Sequence, residues 1–249
     1  MNPVLLLTLV GNLIPLAGLY YWHWDPFQLL MLYWMETVIV AGWSLARIAT
    51  LPESLLGRIK VNGKERAATH RDLLSLFGGM AFAFCAAHFF FLWMIFQDGW
   101  RGKVHGPSSF VRVFVVESGA WIPLLFTLVA GAIAFVTSPA RPHTIRLIEA
   151  RFLRNGIVDA QPKLDEATHG VGAAVGGLLG RITITQAGVI FGAMLARSYG
   201  TNAPMYIVVV LKLIFQSGGG RASGANIELT TSSGSDTVSV KLPDETRKP

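Results

Sequence analysis

Three side chains that could carry or exchange charge lie inside apolar runs of this sequence: Glu36, His88 and Lys212. A carboxylate, an imidazole and an ammonium can pair charge, pass a proton or hold a small ion. Gln186, in another apolar run, could hydrogen-bond to any of them. A lone charge at the centre of a membrane helix costs about 2.5–3.5 kcal/mol on the insertion scale. Pairing is therefore expected, with Glu36 and Lys212 as the first pair and His88 and Gln186 in the same interior. Glu117, Tyr33, Cys85 and Arg181 are secondary candidates. Glu117 lies near a run's end and is expected to face water, while Tyr33 reads mainly as a packing residue.

Other chemistries find less support. A haem between two histidines is disfavoured, because His88 alone lies within an apolar run. His23 and His105 fall in connecting segments, without the spacing of a metal site. Cys85 is the single cysteine, so neither a disulfide framework nor a cysteine-based zinc site can form within one chain. The glycine-rich stretch near 170–180 lacks the Lys-Ser/Thr of a phosphate loop, and no nucleophile–base motif is visible. The sequence leaves the cofactor unknown. An enzyme could still assemble its site from separate helices.

The elements that would position these residues are apolar runs long enough to span a bilayer. Residues 4–22 form the first and end in Tyr20-Tyr21-Trp22-His23-Trp24, an interfacial aromatic cluster. Only a short link separates it from the second, opened by Asp25-Pro26-Phe27 and carrying Glu36 near its middle, so the two must be antiparallel neighbours. Residues 73–96 read as the third span. The fourth, 113–136, is expected to kink at Pro123. The fifth is placed at 178–196, with Arg181 snorkelling to the surface, and the sixth at 204–216. Between the fourth and fifth, residues 143–155 place Ile145, Ile148, Phe152 and Leu153 on one helical face beside arginines, a pattern suited to a membrane surface or to a solvated helix packing on its own domain.

Composition agrees with this organisation. Hydrophobic residues make up 52% and charged residues 14%, where a soluble domain carries about 25% charge. Mean hydropathy is +0.47. The expected fold is an all-α membrane bundle of about six spans over residues 1–216, followed by a Ser/Gly/Thr-rich tail, 217–249, that is mostly disordered, with at most a weak hairpin between residues 227–229 and 238–242. The start lacks a basic n-region and a small-residue cleavage site, so the first run reads as retained.

The net charge of +6 is a topology signal rather than a nucleic-acid one. Arg47, Arg58, Lys60, Lys64, Arg66 and Arg71 follow the second run. Arg141, Arg146, Arg151, Arg154, Lys163 and Arg181 follow the fourth. Connections on the opposite side are poorer in basic residues, which puts both termini in the cytoplasm of an inner-membrane protein. At about 1.5 Å per residue, Glu36 then lies roughly 14 Å from the outer end of its span, His88 and Lys212 roughly 12 Å, and Gln186 roughly 15 Å.

Three elements also carry a resemblance. Asn12-Leu13-Ile14-Pro15, Trp24-Asp25-Pro26-Phe27 and Leu32-Tyr33-Trp34-Met35-Glu36 look like the opening of an uncharacterised, mostly bacterial family of multi-pass membrane proteins. Phe84-Cys85-Ala86-Ala87-His88 is similar to its third-helix signature. Gly180-Arg181-Ile182, Phe191-Gly192 and Leu211-Lys212 resemble its closing segment. The family is catalogued as a domain of unknown function and implies no activity. Its pattern carries histidines where Met80 and Gln186 stand, which weighs against a metal or proton role for this chain.

Three functional readings follow. The first is a structural or accessory membrane protein whose polar layer fixes helix packing, with a homo-oligomer or membrane partner protein left open. The second is a proton- or ion-linked small-solute transporter using Glu36. The third is an intramembrane enzyme using Glu36 and His88 as acid and base.

Overall fold

The computed structural model describes residues 3–22, 24–61, 64–96, 100, 102–138, 171, 175, 182, 209, 229–233 and 236–240. The chain divides by contact into two units. One comprises Met1–Gly42, Met80–Ile133 and Leu179–Gly220, the other Trp43–Gly79, Ala134–Leu178 and Arg221–Pro249.

In the first unit, helix α1 (Pro3–Tyr21) turns directly into α2 (Pro26–Ala49). The corner forms because Asp25 and Gln28 cap α2 reciprocally. The Gln28 amide donates to Asp25 Oδ1 at 2.8 Å, and the Asp25 amide donates to Gln28 Oε1 at 3.2 Å. Pro26 occupies the first helical position, where no amide hydrogen is needed. Trp24 folds back over Gly18, where a Cβ would stand 2.4 Å from the indole Cε3, so only glycine lets the ring lie there.

Helix α3 (His70–Phe96) runs antiparallel to α2 in this unit, because Phe27 meets Trp93 and Trp34 meets Cys85. Its buried stripe is Ala81, His88 and Leu92, while Phe82, Ala86, Phe90 and Met94 form an exposed stripe four residues apart. A water-facing helix carries polar residues outside; here the apolar ones are outside and the imidazole is within.

Helix α4 (Pro107–Val111) continues through a π-helical turn (Arg112–Glu117) and bends by 91° into α5 (Trp121–Val136). The expected kink at Pro123 does not occur. Pro123 stands in the first turn of α5, where its missing amide costs no bond, and the chain turns instead at Gly119, with φ +75°. The groups exposed by the break are satisfied locally. The Ser118 hydroxyl donates to the Phe114 carbonyl at 2.7 Å, and the Trp24 indole donates to the Ser118 carbonyl at 2.8 Å.

The second unit holds a four-stranded antiparallel sheet in the order β2-β1-β4-β3, which the all-α expectation did not include. Strands β1 (Arg58–Val61) and β2 (Lys64–Ala67) pair as a hairpin with Val61 opposite Lys64. Strands β3 (Leu229–Ser233) and β4 (Asp236–Val240) pair likewise, and β4 adds to β1 with Ile59 opposite Val240. An isolated hairpin is marginal in water, so joining two into one sheet is what gives either a reason to form.

The chain is thus mostly helical. Among the described residues two helices, Pro26–Ala49 and His70–Ile95, are long and apolar enough to cross a membrane, and the bent pair Pro107–Glu117 with Trp121–Val136 makes a third if counted as one span. The amphipathic segment 143–155 lies outside the described residues, as do the fifth and sixth runs apart from Ile182 and Val209.

Candidate functional site

The core of the first unit is aromatic where α2 begins. Phe27 sits among Trp93, Trp100 and Phe114, with ring centroids 6.0, 5.9 and 5.3 Å away. Phe110 stacks on Phe114 at 5.0 Å and meets Phe89 at 5.9 Å. Edge-to-face and tilted pairs at these distances add to packing beyond the area they cover. Lys103 lies over the Trp100 ring at 4.8 Å.

Farther along α2 the interior turns polar. Tyr33, Glu36 and Thr37 are all buried, and the Thr37 hydroxyl donates to the Tyr33 carbonyl at 2.8 Å. Tyr33 and Glu36 lie three residues apart and so share a helical face. The Trp34 indole N–H donates to the Cys85 carbonyl at 2.8 Å, which sets the register of α2 against α3; Cys85 itself is half-buried. Its thiol is free.

His88 is 2% exposed, and both of its ring nitrogens lack a hydrogen-bond partner among the described residues. Its ring edge meets Phe84, centroids 5.5 Å apart. Buried imidazoles ordinarily bond at least once, so this one is a strong acceptor or donor held out of use.

Register places Glu36 and His88 on opposite sides of the Trp34–Cys85 level, separated by roughly 7 Å along the helix axes. Depth counting puts them nearly level. The difference arises because α3 continues past Trp93, which is level with Phe27, so its outer end is not the end of α2. Glu36 and His88 make no hydrogen bond to one another. An acid–base pair in direct contact is therefore not what α2 and α3 assemble.

Glu117 pairs with Arg112, Oε1 to Nε at 2.8 Å, on an exposed surface. It also lines a cavity of about 370 Å³ with Trp22, Trp24, Gln28, Ser118 and Trp121, so Trp22 and Trp24 border an opening as well as anchoring the α1–α2 corner. Just outside α2, burial pushes the Asp25 carboxyl above its ordinary 3.8, against the opposing pull of its cap bonds and of Lys103. Among the described residues no three of His, Cys, Asp and Glu converge as a metal site would require. Lys212, Gln186 and Arg181 lie outside the described residues.

Sequence reasoning counted Arg47 only as a topology charge. The structure shows its Nε buried and without a hydrogen bond among the described residues, together with Trp43 Nε1 one turn earlier on α2. The spacing of an indole and a guanidinium four residues apart was the available signal.

No curated protein and no solved structure matches the chain. Residues 1–224 match the model of a family of unknown function (DUF6498), and the chain belongs to that family.

Proposed function

We propose that the chain is a multi-pass inner-membrane protein of about six spans with both termini cytoplasmic, and that its buried polar layer serves a structural or accessory role. In this reading Glu36 pairs with Lys212 and fixes the second span against the sixth, with His88 and Gln186 in the same interior. The lipid bilayer covers the outside, and a second copy or a membrane partner protein takes up part of it. The observation that carries the reading is the inversion of α3. His88 is buried, while Phe82, Phe90 and Met94 are 77%, 64% and 57% exposed. An exposed stripe of that kind suits hydrocarbon and is unfavourable in water.

The test is a charge exchange. Glu36→Lys should lower the folded yield from membranes sharply, and Glu36→Lys with Lys212→Glu should restore much of it. A double variant no better than the single one removes the pair. One observation favours transport as the second reading: among the described residues the nitrogens of His88 have no hydrogen-bond partner, which would let them take a proton or a solute. If Glu36→Gln leaves a monodisperse protein but abolishes pH-dependent flux into liposomes, transport replaces the structural reading.

A further inference from the structure

We propose that the last two turns of α2 bind a phosphate oxyanion between the indole N–H of Trp43 and the guanidinium of Arg47. Both Trp43 Nε1 and Arg47 Nε are buried and have no hydrogen-bond partner among the described residues. Both are donors only, and the guanidinium cannot shed its charge, so an acceptor fits between them and a negatively charged one fits best. Four residues apart on one helix, the two side chains lie on the same face and about one turn apart.

The described residues around it do not supply that charge. Within the same unit, Glu65 faces Arg58 at 3.8 Å and Asp72 pairs with Arg66 at 2.8 Å. Among the described residues no carboxylate lies within 4 Å of Arg47. The C-terminal end of α2 attracts a cation through its dipole but gives Nε no acceptor.

The donors are also held in place. The Trp43 ring packs on Phe135 of α5, centroids 5.3 Å apart, and Leu45 on the opposite side of α2 faces Gly78 of α3. The side chain that would need to swing away to find water is therefore wedged. A guanidinium fork and an indole N–H converge well on a phosphate, whose oxygens accept from several directions at once.

The source of the phosphate follows from the proposed membrane topology, on which this part of the inference rests. There the end of α2 meets the cytoplasmic leaflet, just before Arg58, Lys60, Lys64 and Arg66. An anionic phospholipid headgroup is then the occupant; free inorganic phosphate shares the chemistry.

The experiment uses the full chain, purified in detergent and mixed with phosphatidylglycerol, phosphatidylcholine or inorganic phosphate. Retained lipid is read by native mass spectrometry, and phosphate by its competition with the lipid or by equilibrium dialysis. The wild type should retain phosphatidylglycerol over phosphatidylcholine. Arg47→Gln should lower that retention about tenfold, and Trp43→Phe, which keeps the ring against Phe135, about fivefold. Arg71→Gln, an exposed arginine of the same unit, should leave it unchanged. Should Arg47→Gln fold poorly, Trp43→Phe carries the test alone. Arg47-dependent binding of inorganic phosphate in place of lipid supports the site and changes the source. Equal binding by wild type, Arg47→Gln and Trp43→Phe overturns the site, as does an equal loss in Arg71→Gln. Whether the chain needs detergent to leave the membrane fraction is scored separately, so a soluble chain sinks the topology while the phosphate arm still judges the site.

Discussion

Trp24 and Trp34 in one unit and Trp43 in the other present the same indole N–H to the interior, with different outcomes. Trp24 donates to Ser118 and Trp34 to Cys85, each to a backbone carbonyl at 2.8 Å. Among the described residues Trp43 donates to nothing, and neither does the Nε of Arg47 beside it. In the first two cases the indole completes the fold: Trp24 closes the break at Gly119, and Trp34 fixes α2 against α3. In the third the fold has placed a polar group and left its bond unmade. A buried donor without a partner costs about 1–3 kcal/mol, and the proposed phosphate would remove that cost. The contrast separates polar groups that build the protein from those that serve it.

The comparison breaks most easily at Gly18. Gly18→Ala would drive a methyl into the Trp24 ring, with the nearest ring atoms at 2.4 and 2.6 Å. The indole would have to leave both α1 and the Ser118 carbonyl. We expect a loss of about 3 kcal/mol from overpacking and the lost bond together, measured by thermal unfolding in detergent. Unchanged melting would mean that the α1–α2 corner does not depend on this contact.

Substituting phenylalanine at each tryptophan sharpens it. Trp24→Phe should cost about 2 kcal/mol, because the ring shrinks at a fully packed site and the Ser118 carbonyl is stranded at a break. Trp34→Phe should cost about 1 kcal/mol, since the Cys85 carbonyl lies within α3 and keeps its helical bond. Trp43→Phe, without added anion, should leave stability level or raise it by about 1 kcal/mol, because no bond is lost and a buried donor without a partner is removed. A large loss at Trp43 would show that its N–H already has a partner and would erase the contrast.

Much of the first unit was legible in the sequence, and for identifiable reasons. The link after Tyr21 is too short for anything but an antiparallel turn, and Asp25-Pro26-Phe27-Gln28 has the spacing of a reciprocal cap. Burial of Glu36 and His88 follows from their place in runs with few other polar groups. The β1–β2 hairpin was missed although Asn62-Gly63 stands between its strands, because the basic residues there were read for topology instead. Pairing of β4 with β1 joins segments far apart in the chain, and short polar strands carry no signal for such a partner. The break at Gly119 was assigned to Pro123, since proline looks disruptive until its position in the helix is known. Arg47 shows the limit most clearly. Its charge is in the sequence, but whether a carboxylate lies near it depends on where every other side chain goes.

The smallest effect concerns Asp25, which sits at the corner with all its cap bonds made. Burial raises its carboxyl above 3.8, outweighing the Gln28 and Phe27 amides and Lys103, which pull it down. A raised folded value means that the neutral form is the better tenant of this site. The stability it adds is full below 3.8 and is lost as the pH rises through the raised folded value. The substitution Asp25→Asn keeps the cap, because asparagine caps helices about as well as aspartate, and removes the titration. At neutral pH the variant should match or slightly exceed the wild type in thermal unfolding, and acidification should bring the wild type up toward it. If the wild type instead falls behind the variant on acidification, the cap bonds and Lys103 outweigh burial. Asp25 would then belong with Trp24 and Trp34 among groups whose bonds hold the corner, rather than with groups the fold keeps at a cost.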